Sequence, residues 1–190
     1  EQMQAACPFD VMEDEFHHKH EHSVEFQIVF LQYLLQAQRS KATIVPILCG
    51  SFHEMVCRGE SPLKHPEVRG FIQALKDTIG PYGKRVCIIA GVDLAHVGRR
   101  FGDSQPLTEV FLDQVRQSDL QLLQQAENLD AEGLFQTICD TQDRYRVCGY
   151  PAIYTMLSIV NARKGTLLQY DQAADHATQQ AVTFAGMVFQ

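Results

Sequence analysis

Arg85-Val86-Cys87-Ile88-Ile89-Ala90-Gly91, running on into Val92-Asp93-Leu94-Ala95-His96, is the stretch whose reading decides the fold. Its apolar side chains follow one another without alternating with polar ones. That pattern predicts a strand covered on both faces, the position of a central strand in an α/β sheet. Polar residues arrive only at its carboxyl end. Loops at that end of open α/β sheets build the crevice where ligands bind, so Asp93 and His96 stand where chemistry is expected.

Working outward, Val24, Ile28, Leu31 and Leu35 recur at helical spacing from Ser23 to about Gln38, with Phe30 and Leu34 widening the stripe. Thr43 to Cys49 is a second compact run rich in β-branched residues, stopped by Gly50. It reads as a buried strand, with Pro46 placing it at an edge or a bulge. A helix starts at His65-Pro66, buries Val68, Phe71, Ile72, Leu75 and Ile79, and ends at Gly80-Pro81. After a loop from Val92 to about Gln105, helices are predicted over about 106–126, 130–139 and 151–163, then strands at Thr166–Tyr170 and Ala181–Phe189. This alternation predicts an α/β domain, a mostly parallel or mixed sheet flanked by helices. Residues 1–20 are polar and irregular, and 21–190 form the single domain. The chain opens without Met and without a strand signal in its first fifteen residues. It reads as the C-terminal portion of a longer chain whose sheet lacks its N-terminal strand or strands.

Composition narrows the function classes. A chain of 190 residues holds one substantial core, and its 45% hydrophobic content is that of a globular domain. No apolar run approaches the roughly 20 residues that cross a bilayer, so no membrane partner is expected. A net charge of -7 argues against nucleic acid. Six cysteines without a CxxC pair read as reduced thiols in a cytoplasmic protein. Cys49 and Cys87 lie in apolar runs and Cys139 on an apolar helix face, where a thiol acts as a small hydrophobe.

Three short polar stretches carry candidate chemistry. His22 and Glu25 share one helix face at i, i+3, and His18 joins them if the helix begins earlier. A carboxylate fixes the imidazole tautomer and frees the other nitrogen for a metal or a proton, which makes Glu25 and His18 candidate supporting groups around a cofactor. The alternative is a solvated histidine cluster (His17, His18, His20, His22) before a capping Ser23. Asp93 and His96 form a candidate catalytic carboxylate–imidazole pair; alternatively Asp93 caps a turn and His96 is an ordinary loop residue. Cys148 precedes a helix whose N-terminus favours thiolate, the nucleophilic and metal-binding form; the alternative is a half-buried structural thiol. Arg99, Arg100 and Asp103 either bind an anion or are solvated. His176 either reaches the crevice or is an exposed loop residue.

Taken in order, Glu21-His22-Ser23-Val24-Glu25-Phe26-Gln27, then Ala90-Gly91-Val92-Asp93-Leu94-Ala95-His96-Val97-Gly98, then Val147-Cys148-Gly149-Tyr150-Pro151-Ala152-Ile153, resemble the Memo family. The tail Leu168-Gln169-Tyr170 with Val182-Thr183-Phe184-Ala185-Gly186-Met187-Val188 fits as well. Bacterial members are called AmmeMemoRadiSam system protein B. The resemblance runs from about residue 15 to the end and rests on the ordered set. It implies a fold like the class III extradiol (LigB-like) dioxygenases, with a pocket at one end of the sheet. It implies His22 and Cys148 as ligands of a redox metal, iron or copper, with Asp93 and His96 lining the same pocket. It also implies association with radical-SAM and AMMECR-type proteins. One departure stands out: no His-Ala-Gly-Tyr-like segment, which supplies a further pocket histidine in the family, precedes Glu21. With two protein ligands instead of three, metal binding is expected to be impaired. The expectation is therefore a Memo-like protein with a redox-metal or small-molecule pocket and no implied activity. The alternatives are a non-haem dioxygenase-like enzyme holding Fe(II) on His22 with Glu25 or Asp93, and a non-enzymatic module binding a peptide or partner in the same pocket.

Overall fold

In the computed structural model, which describes residues 2–38 and 42–190, the helices fall largely where hydrophobic spacing places them. α1 (Gln2–Ala6) and a 3-10 turn at Glu15–Lys19 occupy the segment expected to be irregular. α1 packs against a later helix, and after it Phe9 meets Phe71 of that helix at 6.2 Å between ring centroids. α2 (Ser23–Gln38) has the predicted bounds. α3 (His53–Arg58) is a short helix that the sequence pattern does not mark, closed by Gly59 in the left-handed region at φ 63°. α4 (Pro66–Ile79) starts on its proline and buries Ile72, Ala74 and Leu75.

The central helices are capped as their sequences dictate. Thr108 accepts from the Phe111 N–H at 3.2 Å and starts α5 (Glu109–Glu127). Asp130 accepts from the Gly133 N–H at 2.8 Å and starts α6 (Ala131–Thr141). α7 (Tyr150–Ile159) has Pro151 in its first turn. It stops short of the predicted Arg163, because Arg163 and Lys164 both donate to the Gln190 carbonyl, at 2.8 and 3.1 Å. Those residues are drawn into the end of a β-ladder instead.

That ladder belongs to a sheet of order β1-β3-β2, antiparallel throughout, formed by β1 (His96–Gly98), β2 (Gly165–Asp175) and β3 (Gln180–Phe189). β2 and β3 are the terminal strands expected from sequence, longer at the hairpin end and bulged between Leu167 and Gln169. β1 lies where the sequence predicts a loop. It forms because His96 pairs with Val182 and Gly98 with Gln180.

The two runs that predicted a parallel sheet behave differently. Residues 42–50 and 86–92 form no β-ladder among the described residues. A strand exists only where its N–H and C=O groups meet a neighbour, and no neighbour for these runs lies among the described residues. The α/β class therefore holds, but the sheet described is small and antiparallel. The mostly parallel sheet and the dioxygenase-like sandwich depended on those two runs.

The core lies between α5, α6 and α7 and the inner face of β3, around Leu94, Val97, Val115, Leu122, Leu134 and Tyr154. Phe52 closes one side, its ring edge-on to Tyr154 at 5.7 Å. Packing here fixes the loop that follows residue 92.

Candidate functional site

Leu94 and Ala95 are buried, and β3 holds their backbone. The Leu94 N–H donates to the Thr183 carbonyl (2.9 Å), the Thr183 N–H to the Ala95 carbonyl (3.0 Å), and the Ala95 N–H to Thr183 Oγ1 (2.8 Å). The His96 N–H donates to the Tyr145 carbonyl at 2.8 Å. Asp93 and His96 thus flank a rigid buried dipeptide. Asp93 Oδ2 lies 3.9 Å from His96 Nε2, close enough for ion pairing once the ring is protonated. His96 Nδ1 sits 3.2 Å from the Leu94 carbonyl. With the proton assigned to Nδ1, that contact leaves Nε2 as the free nitrogen on the Asp93 side.

Behind the pair lies a clamp that sequence reasoning missed. Arg146 is ion-paired through Nη2 with Asp103 Oδ2 (2.6 Å) and donates from Nε to the His96 carbonyl (3.1 Å), while Asp103 accepts from the Gly98 N–H (2.7 Å). Asp103, read as either anion-binding or solvated, holds β1 in place. Arg100 donates to Gln180 Oε1 at 3.1 Å. Arg146 adopts φ 54°, one of several non-glycine residues with positive φ just before Cys148. A backbone conformation of this kind leaves no mark in side-chain periodicity. Replacing Arg146 with Met should cost about 1–2 kcal/mol and speed amide exchange at Val97 and Gly98, measured by hydrogen exchange and urea unfolding. Unchanged exchange at those amides would deny the clamp.

Cys148 lies beside Asp93. Gly149 packs so closely that a Cβ there would lie 2.4 Å from the Asp93 carbonyl oxygen and 2.6 Å from Val92 Cβ. The thiol, which remains open to solvent, is pushed above its ordinary range by surrounding protein and then by the Asp93 carboxylate; an Asp93 backbone hydrogen bond opposes the shift. This corrects the expectation of a depressed thiol. The helix begins only at Tyr150, and dipole stabilisation of thiolate is outweighed by desolvation and a nearby negative charge.

The first stretch is placed less closely. His22 precedes α2 with its ring 72% exposed; its Nδ1 lies 3.7 Å from Glu21 Oε1 and its ring stands edge-on to Phe26 at 5.7 Å. Glu25 is exposed in the first turn of α2. The cap of α2 is Glu21 and not Ser23: Glu21 Oε1 accepts the Ser23 N–H at 2.8 Å, and this bond holds its carboxyl below the usual range. His18 sits in the separate 3-10 turn and does not extend the α2 face, because the helix does not begin before Ser23. One turn further along α2, Gln27 covers Gly91, where a Cβ would meet Gln27 Cγ at 2.4 Å. The structure therefore brings Asp93, His96 and Cys148 together and carries α2 to the same loop through Gln27. Among the described residues, no group of three or more His, Cys, Asp or Glu side chains is arranged to hold a metal ion.

His176 is exposed in the hairpin turn, 3.6 Å from Glu109 Oε1, which matches its reading as a loop residue. An imidazole–thiol contact was overlooked: His53 Nε2 lies 3.5 Å from Cys57 Sγ on α3. Its signal was present as histidine and cysteine at i, i+4, hidden because the helix is so short. Nearby Asp143 accepts from the Val147 N–H at 2.9 Å, and burial pushes its carboxyl up. A cleft of about 370 Å³ lined by Ser61, Lys64, Asp130 and Glu132 includes none of Asp93, His96, Cys148 or His22.

Comparison with known proteins gives one consistent answer. The family model for Memo-like proteins matches residues 1–188. A MEMO1 family protein of Aquifex aeolicus is 29% identical over 192 residues, a match covering 100% of this chain and 46% of that protein. The MEMO1 family protein TK1477 of Thermococcus kodakarensis is 26% identical, covering 93% of this chain and 59% of that one. A MEMO1 family protein of Methanosarcina mazei is 28% identical, covering 85% and 51%. The chain thus spans about half the length of the curated relatives it matches. No solved structure matches it. With the family model running almost from end to end, the chain belongs to the Memo-like protein family.

Proposed function

We propose that this chain carries the strand-end part of a Memo-type pocket for a small molecule or a redox metal. Asp93 and His96 are its acid–base pair, His22 and Cys148 its ligand donors, and Glu25 and His18 supporting groups. The observation that supports the reading is the close packing of Cys148-Gly149 on Val92-Asp93, beside the Asp93–His96 pair. There His96 Nε2 can take or give a proton at a bound hydroxyl, and Asp93 steadies the imidazolium that results.

Imidazole and thiolate donors suit iron or copper in kind. In arrangement they do not fit a tightly held ion. His22 faces outward, the Cys148 thiol is biased toward its protonated form, and the described residues supply no third ligand. A retained metal therefore needs a further donor, and the same proposal treats 21–190 as the C-terminal portion of a longer Memo-type polypeptide able to bring one. A cytoplasmic location and radical-SAM or AMMECR-type partners belong to this proposal too. Among the described residues, no helix is long and apolar enough to cross a membrane. The incomplete donor set favours, as a second reading, a non-enzymatic module that holds a peptide or partner loop in this groove.

Anaerobic titration with Fe(II) or Cu(I) should show no site tighter than about 10 µM in this chain, with little change in Cys148→Ser or His22→Ala. A panel of catechols and short peptides should shift the Asp93, His96 and Cys148 resonances together and slow alkylation of Cys148. Shifts confined to other residues would overturn the pocket. Tight metal binding abolished by both substitutions would overturn the need for a third donor.

A further inference from the structure

α3 carries chemistry that the strand-end site does not use. The helix is pinned from within by Phe52 and Val56, 7% and 1% exposed, an i, i+4 pair that faces the core. Phe52 stands edge-on to both Tyr150 and Tyr154, with ring centroids 6.2 and 5.7 Å away. The residue after each anchor, His53 and Cys57, turns toward solvent, and both are exposed. Their side chains meet there, with His53 Nε2 3.5 Å from Cys57 Sγ. Ser51 Oγ accepts the His53 N–H at 3.1 Å and steadies the first turn.

The surroundings suit a thiol that gives up its proton. Glu54, the carboxylate on α3 itself, is engaged by Arg58 at 3.3 Å, which blunts its repulsion of a negative sulfur. From the segment after α6, Asp143 interacts with the charge of His53, and a carboxylate there favours the imidazolium. Tyr150 faces the same place from α7, and its hydroxyl stays protonated because burial and then Asp143 push it up. Carboxylate, imidazole and thiol thus follow one another in the order that activates a cysteine. The other thiols lack this arrangement. Cys139 is buried and Cys7 and Cys49 are half-buried, and burial pushes all three up. Cys148 is open to solvent, yet burial and then Asp93 push it up as well. Cys87 is exposed and has no imidazole partner among the described residues.

We infer that Cys57 is a peroxide-sensitive modification site, with His53 as its base and hydrogen peroxide as its oxidant. With the proton assigned to Nδ1, His53 Nε2 takes the thiol proton. The thiolate sulfur attacks one peroxide oxygen, and the S–O bond forms as the O–O bond breaks. The departing hydroxide takes the proton from the imidazolium and leaves as water. Sulfur is oxidised by two electrons to the sulfenic acid, and the peroxide is reduced by the same two. Neither His53 nor Cys57 belongs to the proposed pocket, so the inference does not depend on what that pocket binds.

The test exposes the 190-residue chain to hydrogen peroxide, traps sulfenic acid with dimedone and reads each cysteine by peptide mass spectrometry. Cys57 should be labelled about tenfold or more faster than Cys87, the exposed thiol without an imidazole. His53→Asn should slow labelling of Cys57 about tenfold while leaving that of Cys87 unchanged. Glu54→Gln, which disturbs α3 without touching the pair, should not slow Cys57. Equal rates at Cys57 and Cys87, faster labelling of any other cysteine, or a wild-type rate at Cys57 in His53→Asn overturns the inference. A loss in Glu54→Gln as large as that in His53→Asn overturns it too, because the effect then belongs to the helix and not to the imidazole.

Discussion

Gly149→Ala should destabilise the protein by about 3 kcal/mol and pull Cys148 away from Asp93 in the same step. The added methyl would sit 2.4 Å from a backbone oxygen and 2.6 Å from Val92 Cβ and Cγ2, distances that no side-chain rotation relieves. Gly149 has φ -80°, an ordinary conformation, so the effect is steric and not a matter of backbone strain. If the 148–149 segment moves off the strand end, the thiol loses the burial and the Asp93 charge that push its pKa up. Alkylation of Cys148 by iodoacetamide near neutral pH should then accelerate even though the fold is weaker. Gly186→Ala is the matched control, because nothing lies within 4 Å of its added Cβ. It should be neutral or slightly stabilising. Urea unfolding and cysteine-resolved alkylation rates measure both. A stable Gly149→Ala variant with unchanged Cys148 reactivity would remove the basis for a shared groove.

What the sequence made legible, and what it hid, follows from the range of the interactions involved. α2 could be read to its end residues because its signal is spacing within a few turns, which neighbouring positions carry by themselves. The terminal hairpin was legible for the same reason: in β3 Ala181 and Thr183 point inward while Phe184 is exposed. β1 was not, since its three residues exist as a strand only through partners more than eighty positions later. The runs at 42–50 and 86–92 show the converse failure. Their patterning reports a demand for burial on both faces, and such a demand says nothing of where the covering chain is. At the site, sequence set Cys148 just before a helix, where it lies, but put Asp93 and His96 in a loop after a central strand, whereas His96 opens β1 and the run before Asp93 has no ladder among the described residues; it also mistook the direction of the thiol's shift. A helix dipole is visible locally, whereas the opposing Asp93 lies on another element. Arg146 and Thr183 went unnoticed because their work is to hold backbone groups that periodicity does not describe.

The stability of this protein should fall as pH rises from about 4 to about 7, with one buried carboxyl, Asp119, making the largest contribution. Asp119 is 1% exposed on α5, and burial raises its pKa to about 6 from 3.8. Tyr170 on β2 donates its hydroxyl to Asp119 Oδ2 at 2.8 Å, and Gln172 donates to the Tyr170 oxygen at 2.9 Å. Thr183 is hydrogen-bonded to the same carboxyl, and its Oγ1 is the atom that accepts the Ala95 N–H beside the candidate site. Because the folded pKa is raised, the native state binds the proton more tightly than the unfolded chain between those two pH values. The contribution is thus fully present below about pH 4 and is lost as pH rises through about 6. A rise of that size corresponds to about 3 kcal/mol. Asp119→Asn keeps an acceptor for Tyr170 but cannot ionise. It should flatten the pH dependence by about that amount and equal or exceed the wild type in stability at pH 7. Glu21 and Asp175 are shifted the opposite way and lose stabilisation as pH falls, so the wild-type-minus-variant difference is the proper measure. Since Thr183 ties this carboxyl to Ala95, the Ala95 amide resonance should also respond to ionisation near pH 6 in the wild type and lose that response in Asp119→Asn. Parallel pH profiles for the two proteins would mean that the buried charge is compensated, and that the tether between α5 and the groove carries no energetic coupling.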